Sequence, residues 1–265
     1  MRRFLVLSVA LACLEGCTCG KSAPSSSAMD SGTALSPPSA AQPAGDAPPP
    51  EPPLPERAMQ LHAQGRKHGE VGQFEEALRA FQQAREIAPT WPLPLYDVGV
   101  TYLYMKDDAQ ALEAYEQLDT LAPQGVSDSK RMLDSLRREH DGRVPKGTLR
   151  EFLEVMRLRD MAEVRRLLEE LTRKAPAFVP AWHELAVSTE QPEEAERLLA
   201  KALSLGPDAE TRGQLLLHKA RLTWRRGEKE AARKQLEALL ADPSTPPGVA
   251  VEAREMLSLP DNVTP

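Results

Sequence analysis

Five histidines, three cysteines and a large number of carboxylates are the groups in this 265-residue chain that could do chemistry. The histidines (His62, His68, His140, His183 and His218) are scattered. His183 precedes Glu184, but adjacent residues on a helix do not face each other, so the pair makes no metal or acid–base site. There is no glycine-rich phosphate loop, no Gly-x-Ser-x-Gly elbow and no His-Glu-x-x-His. Two carboxylates could act together on a glycosidic bond, yet Glu on exposed helical faces more commonly solvates and forms weak ion pairs. The expectation is a protein that is not an enzyme and holds no cofactor or metal. The formal net charge is −6 and there is no basic block, which argues against a nucleic-acid partner.

The cysteines carry a different message. Cys13, Cys17 and Cys19 lie at the end of one apolar run, and the rest of the chain has none. Arg2 and Arg3 precede that run, Phe4 to Leu14. It is about eleven residues long, too short to span a bilayer but suited to the apolar region of a signal peptide. The run ends Leu14-Glu15-Gly16-Cys17, which resembles a bacterial lipobox with an unusual residue at Glu15. The resemblance implies a leader over residues 1–17 and acylation of Cys17. Cys13 after Ala10-Leu11-Ala12 is the competing site; ordinary secretion with cleavage near Gly16 or Gly20, and a retained anchor, are the alternatives to a lipoprotein. With Cys19 left alone, no intramolecular disulfide is expected. A lipid would anchor the chain rather than thread it through a membrane, and no later segment is apolar for roughly 18 residues. Residues 18–56 are almost wholly Ser, Ala, Pro, Gly and Asp, too poor in apolar surface to offset the entropy of ordering. A disordered stalk is expected there, ending in a stiff polyproline stretch from Pro48 to Pro55.

What must position any site is the remainder, and it repeats. Pro89 and Pro123 are about 34 residues apart, the period of a helical hairpin. Other residues fall into step: Leu61 with Leu95, Gly65 with Gly99, His68 with Tyr102, Ala77 with Ala111 and Phe81 with Tyr115. Gly65, Gly99, Ala77 and Ala111 take slots where two antiparallel helices approach closely, because a larger side chain would push them apart. Phe81 and Tyr115 are expected to fill the space between neighbouring units. Pro89 and Pro123 stop the second helix of each unit. Gly72 allows the turn inside the first hairpin; in the second, Asp107 and Gln110 supply a capping box. Period, small residues, aromatic and terminal proline together resemble the tetratricopeptide repeat.

Downstream the pattern loosens. Residues 147–176 give two helices and a stop at Pro176, with Leu149, Phe152, Leu153, Met156, Val164, Leu167, Leu168 and Leu171 at helical spacing. A hairpin ending at Pro207 follows, with Pro192 starting its second helix. Another holds Ala220, Gly227, Ala232, Leu236 and Leu239, and a lone amphipathic helix closes the array as a cap. Residues 127–139 fit worst: one helix with Met132, Leu133 and Leu136 on one face and no partner within the period. It is read as a cap on the first two repeats, followed by a short linker. The expected fold is all-α, a right-handed solenoid of about five hairpins. It is divided into 57–140 and 147–260, either as two sub-blocks or as one superhelix.

The first helix of the second repeat, PLPLYDVGVTYLYM, is apolar nearly all round. Leu95, Val98, Gly99 and Tyr102 serve packing. Leu93, Tyr96, Val100, Leu103 and Tyr104 remain, and a helix apolar on every side should be covered on every side. The resemblance implies that such helices line a concave groove where a partner binds as a helix or an extended segment. The alternative cover is the protein itself, through the 127–139 helix or the second block. The family's carboxylate-gripping Lys and Asn are missing here: the matching slots hold His62 and Arg66, then Tyr96 and Val100. Trp182 sits in a packing slot, and Trp224 is either core or a partner anchor. Function is expected to be that of a lipid-anchored scaffold binding a protein segment, on the periplasmic side of a bacterial outer membrane. Relatives of this layout serve outer-membrane assembly, secretion or pilus biogenesis. The alternatives are a peptidoglycan-acting envelope enzyme and a self-contained dimerisation or regulatory module.

Overall fold

The computed structural model describes residues 53–260; the expected leader, Cys17 and nearly all of the expected stalk lie outside them. Among the described residues there are twelve α-helices and no strand. They are α1 (Glu56–Glu70), α2 (Phe74–Ile87), α3 (Leu93–Met105), α4 (Asp108–Leu121), α5 (Ser129–His140) and α6 (Thr148–Met156). After these come α7 (Met161–Lys174), α8 (Val179–Ser188), α9 (Pro192–Ser204), α10 (Ala209–Arg225), α11 (Lys229–Ala241) and α12 (Pro247–Leu257). None is long and apolar enough to cross a membrane. Five hairpins pair α1 with α2, α3 with α4, α6 with α7, α8 with α9 and α10 with α11. α2, α7 and α9 also pack on the first helix of the next hairpin, as in a solenoid, whereas α4 packs on the unpaired α5.

Proline punctuates the array. A residue before proline is pushed out of helical geometry, and Ala88, Ala122 and Ala175 cap α2, α4 and α7 just ahead of Pro89, Pro123 and Pro176. Their backbones agree closely, at φ −130°, −131° and −128° with ψ 72°, 77° and 71°. The turns inside the hairpins repeat as well. Gly72 (φ 76°) and Gly227 (φ 85°) take the left-handed conformation, and Lys106 (φ 63°) takes it in the second hairpin without being glycine. Asp107 then accepts a hydrogen bond from the Gln110 N–H at 3.1 Å.

The glycines of the repeat sit under aromatic rings. A Cβ on Gly65 would lie 2.5 Å from Phe81 Cε1, and one on Gly99 2.8 Å from Tyr115 Cε2. The rings thus lie over the glycine of their own hairpin, a closer engagement than filling the gap between units. Leu61, Leu95, Ala77 and Ala111 are buried beside them, and Tyr102 is half-buried against the same cluster. Phe81 and Tyr115 are 2% and 1% exposed, each pressed on the glycine of its own hairpin.

The helix that fits the period worst joins distant parts of the array. α5 packs on α4 and α6 and also reaches α10. Met132, Leu133 and Leu136 join one apolar cluster that runs from Ala77 to Leu185, continuing through Val144 and Leu149 across the linker. Two neighbouring charged residues of α5 close other helices. Glu139, only 4% exposed, accepts from the Gly147 N–H at 2.7 Å and the Leu149 N–H at 2.6 Å, capping the start of α6. Arg138, 3% exposed, donates to Gly206 O at 2.6 Å and to Leu205 O and Ala177 O at 3.3 Å, closing the end of α9.

Candidate functional site

The residues expected to form a groove divide into those the protein uses internally and those it leaves open. His62 is buried, hydrogen-bonded to the Asp97 carboxylate through Nε2 at 2.7 Å, with Trp91 edge-on at 4.7 Å and Phe81 at 5.6 Å. Tyr96 donates its hydroxyl to Asp128 at 2.6 Å and meets Tyr115 edge-on at 6.1 Å. Burial, then the Asp128 charge, push its phenol well above the ordinary range. α5 therefore covers Tyr96 through the residue just before its first turn. Leu103 is 6% exposed and belongs to the core.

Arg66 and Val100 are half-buried, while Leu93 and Tyr104 are exposed. Tyr104 is ordered although 49% of it is open. Its ring stacks parallel to Phe74 at 6.1 Å, and the Arg157 guanidinium lies 5.9 Å from its centroid. One side chain thus draws together the turns of three hairpins. Of the tryptophans, Trp224 is buried under Arg233, 5.1 Å away. Trp182 donates to Pro176 O at 3.0 Å with Lys201 over its ring.

A second cluster, at α5, α8 and α10, has no counterpart in the sequence reading. Arg131 donates to Asp128 at 2.6 Å. Burial works against its charge, but Asp128 and then Glu210 outweigh that and hold it protonated. Burial pushes the Glu210 carboxyl up to about 8, with Arg131 the main opposing influence. It likewise raises Glu184, again opposed by Arg131. Asp208 is raised by burial, against its bonds from Thr211, whose N–H it accepts at 3.0 Å. The His183 and His218 rings lie 6.4 Å apart; burial lowers the first to about 4 and the second to about 3. All these groups lean towards neutrality around one arginine. The signal that could have shown this is the spacing of Arg131 and Arg138 on one side of α5, opposite its apolar face. No group of three or more His, Cys, Asp or Glu among the described residues is set to hold a metal ion.

Comparison with known proteins places these observations. Residues 94–124 match the tetratricopeptide repeat. No curated protein matches the chain. Among solved structures, MamA from Desulfovibrio magneticus aligns at 18% identity and TM-score 0.34, covering 78% of this chain and 100% of that one. A thermophilic tetratricopeptide-repeat protein of Thermus thermophilus aligns at 20% identity and TM-score 0.34, covering 76% and 100%. The TPR2AB domain of yeast Sti1, solved in complex with pHSP90, aligns at 17% identity and TM-score 0.35, covering 75% and 96%. Residues 94–124 are thus a tetratricopeptide repeat, and the hairpins on both sides of it are built in the same way.

Proposed function

We propose that the chain is a scaffold of a bacterial cell envelope, tethered by a lipid at Cys17, that holds a protein segment against its α1–α3 face. The observation that carries the reading is the incomplete cover of α3. Core packing and α5 account for Leu95, Tyr96 and Leu103, but Leu93, Val100 and Tyr104 stay partly or wholly open. Tyr104 is held in place by Phe74 and Arg157, so a partner meets an aromatic anchor already ordered. A rigid ring of this kind contributes large contact area at low entropic cost, which is how a few residues come to dominate an interface. Leu93 and Val100 would seat an apolar side chain, and Arg66 a carboxylate or carbonyl. Recognition is by surface complementarity, with no bond made or broken. The tether rests on the Cys17 leader, and assembly, secretion or pilus-type complexes are the settings that suit such a scaffold.

The test is crosslinking in the native cell followed by mass spectrometry, with the wild-type chain and Tyr104→Ala and Val100→Asp variants. Loss of the captured partner with an unchanged melting temperature supports the reading. An unchanged partner list sinks it. For the tether, palmitate labelling should vanish in Cys17→Ser; labelling that persists removes Cys17 from its place. Release of fragments from peptidoglycan by the purified protein would replace the scaffold with an enzyme.

A further inference from the structure

The turns inside the first three hairpins are apolar where turns are ordinarily built from Gly, Asn, Asp and Ser. Twelve large apolar side chains are exposed among the described residues, and five of them stand here. They are Val71 after α1, Tyr104 and Met105 at the end of α3, Leu158 between α6 and α7, and Met161 at the start of α7. Val71, Met105 and Leu158 each mark the end of the first helix of a hairpin, so one slot is apolar in three successive hairpins. The Tyr104 ring makes the three turns one surface, stacked on Phe74 at the start of α2 and lying under the Arg157 guanidinium just after α6. Exposed apolar residues scattered singly need no explanation, but a contiguous set marks an interaction surface. Neither of the clefts of about 360 Å³ and 340 Å³ reaches it. The charges along this edge are sorted. The first turn carries Glu70 and Glu75, both exposed and neither in an ion pair among the described residues. The third carries Arg157 and Arg159, and Arg159 is likewise unpaired. The carboxylate beside it, Asp160, is turned back into α7, where it accepts from the Ala162 and Glu163 N–H groups at 2.9 Å and 3.4 Å. The middle turn holds both signs, Lys106 and Asp107.

We propose that this turn edge is the contact between two copies of the chain, related by a two-fold axis at the middle turn. Such an axis lays one surface against itself in the reverse direction. Tyr104 and Met105 then meet their counterparts at the centre. The acidic first turn of each copy lies against the basic third turn of the other, so Glu70 faces Arg159 twice. Laying the two edges in the same direction would bring like charges together, which an interface strongly disfavours. The same charges select a second copy over other occupants. Glu70 and Glu75 repel an anionic bilayer, and a partner of one sign meets a like charge at one end of the edge. A second copy carries the complement of both ends. Three turns make a small interface, so the pair forms and parts readily. This use of the edge goes beyond the capture of a segment and shares only Tyr104 with it. Glu70, Leu158 and Arg159 serve self-association, while Arg66, Leu93 and Val100 serve the segment. Since Tyr104 takes one occupant at a time, the pair and the captured segment exclude each other.

The measurement is sedimentation velocity of the full chain carrying Cys17→Ser, so that no acyl group drives association. Glu70→Arg and Arg159→Glu are compared with this parent. Each new charge suits the helix end it joins, basic at the end of α1 and acidic before α7, so neither should harm the fold. The parent should show a monomer–dimer equilibrium that weakens as salt is raised. Each single variant sets like charges together twice and should weaken it about tenfold or more. An equimolar mixture of the two variants should pair again, within about threefold of the parent, because each supplies the charge the other lacks. Leu158→Asp should also weaken the pair about tenfold. A parent that sediments as a monomer at every concentration overturns the proposal. Single variants that associate as the parent does overturn it, and so does a mixture that stays monomeric while both keep native circular dichroism. A monomeric parent that floats with phosphatidylglycerol vesicles assigns the edge to a lipid surface and overturns it too. Should either charge variant fail to fold, the salt series and Leu158→Asp decide: association that neither of them weakens overturns the proposal.

Discussion

Gly65 and Gly69 stand one turn apart on α1, and replacing each by alanine should move stability in opposite directions. Alanine in a helix interior is favoured over glycine by roughly 0.5–1 kcal/mol. At Gly69 the nearest atom to the new Cβ is Ala77 Cβ at 4.0 Å, an ordinary contact. Gly69→Ala should therefore keep the whole gain, about 1–4 °C in melting temperature for a domain of this size. At Gly65 the new Cβ would stand 2.5 Å and 2.6 Å from two carbons of the Phe81 ring. The ring must retreat by about an ångström to restore ordinary contact, and it is 2% exposed in a packed interior. Overpacking of this kind costs about 1–3 kcal/mol and exceeds the helical gain. Gly65→Ala should lose roughly 1–2 kcal/mol net, or about 2–8 °C. Thermal unfolding followed by circular dichroism reads both. Gly65→Ala combined with Phe81→Leu should lose less than the sum of the two single changes, by about 1 kcal/mol, since the residues touch. A Gly65→Ala variant as stable as Gly69→Ala would refute the account of the repeat's tightest slot.

Lys106→Gly should raise stability by about 0.5–1 kcal/mol in chemical denaturation, because it relieves a left-handed backbone that only glycine adopts without strain. Glu139→Ala should lower it by about 2–3 kcal/mol, since two N–H groups at the start of α6 lose their acceptor. Glu210 binds its proton up to about pH 8 when folded but only to its ordinary 4.5 when unfolded, so its contribution falls as pH rises across that window. Melting curves of the wild type and Glu210→Gln between pH 5 and 9 should converge at the acid end and diverge at the alkaline end, with the variant the more stable. His183 and His218 act in the opposite sense: held neutral with values of about 4 and 3, they favour the fold above their ordinary 6.5 and lose that contribution as pH falls towards those values. Replacing both by glutamine should flatten the acid limb of the same curves.

The hairpins were legible in the sequence because their determinants are local and periodic. Gly65 pairs with Phe81 and Gly99 with Tyr115 at the same offset, and Ala88-Pro89 and Ala122-Pro123 end their helices identically. Tyr104 stood out as apolar surface, though not as the point where Phe74 and Arg157 converge, since Arg157 lies in another hairpin. The contacts of Arg131 and Arg138 were hinted at only by their spacing on one side of α5, and their partners were hidden for a physical reason. Arg138 reaches Gly206, 68 positions away, and Arg131 faces Glu210; such pairs depend on how far the array curves, which no repeat period encodes. Charged residues on α5 read as a solvated face until α8 and α10 are brought over them. His183 and His218 likewise met only through that curvature.

Solenoids usually tolerate the loss or duplication of a hairpin, because each unit knows only its neighbours. The Arg138–Glu139 pair removes that freedom here. One residue is bonded to the chain just ahead, at Gly147 and Leu149, and the next to a loop that lies two hairpins further on. Excising or copying α8–α9 would carry Gly206 out of reach while leaving Glu139 satisfied, and excising α6–α7 would also take Leu149 from Glu139. Lineages of this protein should accordingly vary freely in hairpin number after α12 or before α1, and keep the interval between α5 and α10 constant.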